Sequence, residues 1–269
     1  MALFGFIGAG NMGFPLIKAA VKTFGREQVV YTAASQARRT SVERETAITA
    51  SDNNPEVVKQ CKYLVLAIKP QVFPKVLEEI KRSVTKEHIV ISIAAGITID
   101  TIKESLSEEI RVVRAMPNTP AMVEMGMTGV AYSKDEYTEE EKSVLDQFFQ
   151  SFGKYEAVDE SLINAVVCAS GSSPAYVYMF IEALADSAVS YGIPRAKAYS
   201  MVAQTVLGAA AMVLETGEHP GKLKDNVCSP GGTTIAAVKA LEEHGFRNAV
   251  MKATDACYEK CVSMSKKSK

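Results

Sequence analysis

The sequence predicts an α/β fold, a doubly wound parallel sheet followed by an all-helical second part, on three observations. A glycine-rich loop sits between an apolar run and an amphipathic stretch near residue 10. Continuous apolar runs then alternate with helical segments as far as about residue 155. Beyond that point strand-like runs stop and helical periodicity alone continues.

The run Ala2-Leu3-Phe4-Gly5-Phe6-Ile7 is the first predicted strand, and it feeds Gly8-Ala9-Gly10-Asn11-Met12-Gly13. Residues 11–24 carry Met12, Leu16, Ala19, Ala20 and Phe24 at helical spacing, and Val29-Val30-Tyr31 follows a turn near Gly25. This strand–loop–helix–strand order is the Rossmann-type context that gives a GxGxxG sequence its meaning. The first glycine permits a tight turn, the second lets pyrophosphate approach the backbone, and the third lets helix and strand pack closely. The helix start adds unpaired N–H groups and a positive dipole end for the phosphates. Packing alone is the competing use of such glycines.

An NAD-binding chain of this type carries an acidic residue about 20 positions beyond the loop, on the ribose 2′-hydroxyl. None stands between Glu27 and Glu43, where the chain reads Tyr31-Thr32-Ala33-Ala34-Ser35-Gln36-Ala37-Arg38-Arg39. Ser35 can donate a hydrogen bond to a 2′-phosphate, and Arg38 or Arg39 can supply charge. NADPH is therefore the expected cofactor, with NADH a secondary option. The alternative leaves both arginines solvated on the next helix.

Three further apolar runs, Tyr63-Leu64-Val65-Leu66-Ala67-Ile68, His88-Ile89-Val90-Ile91-Ser92-Ile93 and Ile110-Arg111-Val112-Val113-Arg114-Ala115-Met116, read as strands covered on both faces. Helices are predicted between them at residues 55–60, 74–82 and 100–106. Asp52-Asn53-Asn54-Pro55 is a good helix start, with a capping side chain and proline in the first turn. Such alternation implies a parallel sheet with right-handed crossovers. Ligands bind these sheets outside the carboxyl ends of the strands. Lys69, directly after a buried strand, is expected to face that crevice. Ala94-Ala95-Gly96 is small enough for a backbone passing close to a flat ring.

The texture changes place a boundary between residues 157 and 158, with helices predicted at 159–169, 174–191, 194–216, 220–226, 233–244 and 246–265. Residues 194–216 are nearly apolar all round from Ala198 to Leu214, so that helix must be buried on every side. A helical domain of this size has little interior for it, which predicts burial against a second copy of the chain. Neither this helix nor residues 161–181 is expected to span a membrane, which takes ~20 largely apolar residues. Ser200, Gln204 and Thr205 interrupt the one, and Ser170-Gly171-Ser172-Ser173-Pro174 breaks the other.

A net charge of −1 argues against nucleic acid or an anionic membrane as the main partner. No secretion signal is read, so a cytoplasmic location is expected, and the basic tail Lys266-Lys267-Ser268-Lys269 reads as a solvated end. The five cysteines, Cys61, Cys168, Cys228, Cys257 and Cys261, form no CxxC pair and read as reduced thiols. Cys257 and Cys261 are one helical turn apart, but no second pair is near and the histidines are scattered. No metal site is expected.

Oxidising an alcohol by hydride transfer requires a general base. The stretch Ser170-Gly171-Ser172-Ser173-Pro174-Ala175-Tyr176 offers neither lysine nor histidine, and the next lysine is Lys197. An acceptor already cationic, such as a protonated imine, needs no strong acid or base. The turn Ser229-Pro230-Gly231-Gly232, opening a helix at Thr233, suits a small carboxylate through its backbone N–H groups. It suits an ordinary capped helix start equally well.

Over essentially its whole length the chain resembles the pyrroline-5-carboxylate reductases. The residues that carry the resemblance are Phe6-Ile7-Gly8-Ala9-Gly10-Asn11-Met12, Ala67-Ile68-Lys69-Pro70-Gln71, Arg114-Ala115-Met116-Pro117-Asn118-Thr119-Pro120 and Ser170-Gly171-Ser172-Ser173-Pro174-Ala175-Tyr176. Most specific is the block from Asp225 to Glu242, with Asp-Asn-Val-x-Ser-Pro-Gly-Gly-Thr-Thr-Ile at its head. The resemblance implies NAD(P)H-dependent reduction of Δ1-pyrroline-5-carboxylate to L-proline, the last step of proline biosynthesis. It implies a cytoplasmic enzyme whose helical domains interlock as a homodimer, assembled further as a decamer of five dimers.

By position, the resemblance assigns Ile7, Gly8, Ala9, Gly10, Asn11, Met12, Ser35, Asn54, Ile68, Lys69, Pro70, Ala95 and Asn226 to the cofactor. It assigns Glu160, Ser229, Gly231, Gly232, Thr233 and Thr234 to the substrate, with Thr234 as catalytic residue at the ring nitrogen. Ser173 departs from the glycine many members have, and residues 32–39 vary across the family. Two rival readings are another imine or keto reductase, such as a hydroxyacid dehydrogenase, and a non-catalytic NADPH-binding regulator. The missing lysine speaks against the first, and the second needs no organised carboxylate site.

Overall fold

A computed structural model describes residues 1–267, so Ser268 and Lys269 of the basic tail lie outside the described residues. The chain forms two compact units, Met1–Ser172 with the stretch from Cys257 onward, and Ser173–Ala256.

The first unit is built on strands β1 (Ala2–Ile7), β2 (Val29–Thr32), β3 (Cys61–Leu66), β4 (Ile89–Ser92), β5 (Arg111–Met116), β6 (Gly126–Tyr132) and β7 (Gly153–Ala157). Their order in the sheet is β2-β1-β3-β4-β5-β6-β7. The first five strands run parallel, β6 runs antiparallel to β5, and β7 is parallel to β6. The chain winds to one side of β1 for β2 and to the other for β3, so the topological switch point lies between β1 and β3.

Helices α1 (Gly13–Phe24), α2 (Gln36–Thr46), α3 (Asn54–Gln60), α4 (Phe73–Ile80), α5 (Ile99–Leu106), α6 (Glu139–Gln150) and α7 (Ile163–Val166) belong to the same unit. Strand side chains alternate between two cores. Phe4, Phe6, Tyr63 and Val65 pack with Leu16, Ile17 and Phe148 on one face, whereas Leu64, Leu66 and Val90 pack with Phe73, Leu77 and Ile102 on the other. Phe4 stacks on Phe148 with ring centroids 4.6 Å apart. These layers make the buried parallel strands read as unbroken apolar runs.

The sheet departs from the expected all-parallel arrangement at its far edge, where β6 returns antiparallel and β7 joins it. β3 is shifted two residues earlier than expected, ending at Leu66, and β4 is shorter than expected, starting after His88 and ending at Ser92. His88 is a core histidine, its Nε2 lying 3.0 Å from the Val58 carbonyl.

Thr138 and Glu141 form a reciprocal capping box at the start of α6. Glu141 is only 3% exposed, with Arg111 at 2.7 Å and Lys62 at 2.9 Å from its oxygens. Burial alone would raise its pKa, but hydrogen bonds from Lys62, the Thr138 backbone and Arg111 outweigh that and hold it down at about 2. The stabilisation is therefore present in full above the unfolded carboxyl value of about 4.3, and is lost as pH falls from there toward the folded one. Melting curves from pH 7 down to pH 3 are expected to show a loss on the order of 2 kcal/mol that Glu141→Gln, already weakened at neutral pH, lacks.

The second unit contains α8 (Ser173–Ser190), α9 (Arg195–Thr216), α10 (Pro220–Val227), α11 (Thr233–Glu243) and the first part of α12 (Phe246–Lys267). Among its described residues only Ala185, Ala198 and Val202 are buried, between α8 and α9. Met179, Tyr191, Met201, Met212 and Leu214 are exposed on this unit. α9 is long and apolar enough to cross a membrane by length and composition, because Ser200, Gln204 and Thr205 do not offset the run of alanine, valine and leucine around them.

Candidate active site

The glycine loop is held by close backbone approaches. Gly8 has φ +101°, its N–H donates to the Thr32 carbonyl at 3.0 Å, and a side chain there would run into the Ala67 carbonyl. Gly13, the first residue of α1, leaves no room for a Cβ against the Gly8 carbonyl. Gly10 is the opposite case, since a Cβ there would meet nothing within 4 Å. Two glycines are used for packing, and the middle one keeps an open approach to the backbone.

Outside the ends of β1, β2 and β3 lies a cleft of about 330 Å³, lined among others by Ile7, Gly8, Thr32, Asn54, Ile68 and Glu79. Most of the predicted cofactor residues gather at this carboxyl edge of the sheet. Ala9, Asn11 and Met12 continue the loop, Ile68, Lys69 and Pro70 follow β3, and Ala95 follows β4. Lys69 is exposed and makes no ion pair among the described residues. A larger hollow of about 600 Å³ is lined by Gly10, Asn11 and Arg38 among others and runs along α1, past Lys18 paired with Glu45. It lies off the strand ends, and its size alone does not make it the site.

Ser35 is the N-cap of α2, its hydroxyl accepting from the Arg38 N–H at 3.3 Å. The Arg38 guanidinium donates to Asn11 Oδ1 at 2.7 Å, and Arg39 donates through Nε to the Ala33 carbonyl at 2.8 Å. Both arginines are thereby tied to the loop and to the end of β2, rather than solvated on the helix. Each keeps guanidinium N–H groups beyond these bonds. Asn54 accepts from Thr32 Oγ1 at 2.7 Å and donates to Glu79 Oε2 at 2.8 Å, which fixes its side-chain amide. Asp52 and Glu79 line the same cleft. Sequence reasoning missed them because they reach it from the start of α3 and from α4, not from the end of β2.

Glu160, assigned to the substrate by the resemblance, begins the short turn Glu160–Leu162 after β7. Its Oε1 accepts from the Ile99 N–H at 2.8 Å and from Arg114 Nη1 at 3.1 Å, and the Arg114 side chain is buried. It thus anchors the start of α5 to β5.

In the second unit the predicted substrate residues are contiguous. The turn Ser229-Pro230-Gly231-Gly232 closes with the Gly232 N–H donating to the Ser229 carbonyl at 3.0 Å, and Gly231 has φ +69°. Gly232 is the N-cap of α11 and supplies no capping side chain, and Thr233 and Thr234 form the first turn. First-turn N–H groups have no acceptor within their helix. Asn226 lies at the end of α10, beside Asp225 whose carboxylate pairs with Lys224 at 2.5 Å.

The family described as "Pyrroline-5-carboxylate reductase dimerisation" matches residues 160–264, and "NADP oxidoreductase coenzyme F420-dependent" matches residues 3–96. The pyrroline-5-carboxylate reductase of Escherichia coli is 47% identical over 265 residues, covering 97% of this chain and 98% of the relative. The chain belongs to the pyrroline-5-carboxylate reductase family. The corresponding reductase of Methanosarcina acetivorans is 42% identical, over 98% of both chains. Among solved structures, the pyrroline carboxylate reductase of Plasmodium falciparum with NADP bound superposes with TM-score 0.87 at 31% identity, and the Coxiella burnetii reductase with 0.89 at 32%, each covering 98% of both chains.

The reductase's residues fit NADPH. The open backbone at Gly10 leaves the space that a pyrophosphate needs, and the α2 cap with its two tethered arginines offers donors for a 2′-phosphate. One expectation is revised by the fold. Cys168 joins Cys257 and Cys261, so the pair judged too isolated to hold a metal is part of a cluster of three thiols.

Replacing Ser35 with Asp keeps the cap but places a carboxylate against the 2′-phosphate. The ratio of kcat/KM for NADPH over NADH is expected to fall at least tenfold in Ser35→Asp. An unchanged ratio would remove the α2 start from the cofactor site.

Proposed function

We infer that the chain reduces Δ1-pyrroline-5-carboxylate to L-proline with NADPH as hydride donor, the last step of proline biosynthesis. What carries this reading is the pairing of two backbone cradles, one per unit. The loop at Gly10 suits a dinucleotide, and the α11 start, with no side chain at its cap, suits a small carboxylate. When bound, the nicotinamide supplies a hydride to C5 of the ring.

The protein's own part is to bind, orient and shield. The N–H groups around Gly232, Thr233 and Thr234 hold the substrate carboxylate, with Ser229 and Gly231 shaping the turn. The Thr234 hydroxyl bonds the ring nitrogen and settles its proton as charge there is lost. Asn226 contributes to the cofactor, as assigned from the family. Lys224, the one lysine near the turn, is paired with Asp225, so no strong acid or base is set beside it. The protonated imine needs none. We propose that Glu160 lines the substrate site, with its carboxylate held by Arg114 and the Ile99 N–H.

We further propose that α9 is buried between two copies of the chain. Three buried side chains cannot hold the second unit alone, and exposed methionine, tyrosine and leucine occur on α8 as well as on α9. A lipid environment would demand an apolar surface on one long helix only. Five such dimers forming a decamer, in the cytoplasm, complete the proposal. Incubating the purified protein with NADPH and pyrroline-5-carboxylate, and separately with 2-hydroxy acids and NADP, tests the activity. Proline formation supports it, whereas turnover of hydroxy acids alone, or of neither, favours one of the rivals.

Ala210 is exposed in the single chain. Ala210→Glu would therefore be harmless to a monomer, but in a dimer it is expected to cost several kcal/mol by burying an unpaired charge. Sedimentation should show the wild type as a dimer or larger and the variant dissociated. A stable wild-type monomer would refute the interface.

Thr234→Ala is expected to lower kcat/KM by roughly ten- to a hundredfold, because a hydrogen bond to a charged group is worth ~1.5–3 kcal/mol. NADPH affinity should change little. Thr234→Ser should retain most activity, and Thr234→Val should fail like alanine. If the hydroxyl serves only the helix start, alanine will instead lower the melting temperature and leave turnover intact.

A further inference from the structure

The sheet's last helical turns hold a cluster that the reductase chemistry does not use. Cys168 lies on the wide turn Val167–Gly171, a single π-helical turn closed by the Ser172 N–H donating to the Val167 carbonyl at 2.7 Å. Such turns are rare in helices and occur most often at functional sites. Cys257 and Cys261 stand one turn apart on α12. The three Sγ atoms all lie within 4.8 Å of one another, Cys168 buried and the other two partly so. The Cys168 thiol donates to the Asn164 carbonyl at 3.3 Å and Cys257 to Ser172 Oγ at 3.4 Å.

We propose that Cys168, Cys257 and Cys261 form a binding site for a thiophilic d10 cation of the zinc class. Zinc–thiolate bonds of about 2.3 Å place tetrahedral sulfurs about 3.8 Å apart, so the cluster needs to contract by at most about 1 Å. Rotation of the cysteine side chains between staggered states supplies a movement of that size. Binding forms three metal–sulfur bonds, and each thiol gives its proton to solvent, with no change in oxidation state. Water or the Ser172 hydroxyl, already beside Cys257, completes the fourth position.

The geometry discriminates between a metal and a disulfide as the use of these thiols. Two cysteines on consecutive turns of one helix are held by the helix at a fixed spacing, and the third faces both, an arrangement of three donors about one point. The bound ion would tie the last turns of α12 to the turn at residues 167–171.

Cadmium(II) added to reduced, metal-free protein is the test, read by ultraviolet thiolate-to-metal charge-transfer absorption, with zinc(II) competing for the site. The proposal expects saturation at one ion per chain and displacement by zinc. Cys168→Ser and Cys261→Ser should each weaken binding at least tenfold, while Cys228→Ser binds as wild type. NADPH binding by the Cys261→Ser protein shows that it is folded, and that variant reports on the site even if Cys168→Ser fails to fold. Absence of the band at one equivalent, or a band that survives both substitutions, would overturn the site.

Discussion

The closeness of β1 to α1 is the constraint on which the first unit depends. Gly8 bends at φ +101° with its Cα against the Ala67 carbonyl, and Gly13 sits on the Gly8 carbonyl. Strand, loop and helix can meet at that distance only without side chains. Once they do, α1 lies on β1 with Leu16 and Ile17 beneath it, and the chain must cross over to reach β2. The later return to β3 on the opposite side opens the cleft at the switch point. Packing and binding are therefore one requirement at this loop, with Gly10 the single glycine left for the ligand.

A different constraint governs the second unit, which is held internally by little more than Ala185, Ala198 and Val202. Small residues along the α8–α9 contact let the helices approach, but they bury little area. The larger side chains, such as Met201 and Leu214, point elsewhere and remain exposed in the single chain. Folding of this unit is then coupled to association, and its stability depends on protomer concentration.

Most of the fold was legible because its signals are local. β1 to β5 are buried on both faces and announce themselves as apolar runs, and the helical part is punctuated by Gly192, Gly217 and Gly231. β7 was not legible, since Gly153-Lys154-Tyr155-Glu156-Ala157 is a largely polar edge strand with no buried residue. β6 was equally silent, its Gly126 and Gly129 accommodating Phe152 and Val166, contacts that no local pattern reveals. The α6 start could have been found, because Thr138 followed three residues later by Glu141 is a capping box. The motifs named candidate site residues, but Glu79 at Asn54, Arg114 at Glu160 and Cys168 at Cys257 are contacts between distant segments. Spacing along the chain carries no information about them.

The arrangement of charge around the two cradles bears on why the chemistry relies on position. Three carboxylates near the loops have partners, Glu160 in Arg114 and the Ile99 N–H, Glu79 in Asn54, and Asp225 in Lys224. Unengaged, each would repel either the phosphates of the cofactor or the carboxylate of the substrate. What remains to meet the ligands is mostly backbone, at Gly10 and from Gly231 to Thr234. Backbone donors do not titrate and cannot swing away, so each cradle suits an anion at any pH. A protonated imine brings its own electrophile to such a site. Holding it beside a hydride donor leaves no step that a further ionisable group must perform.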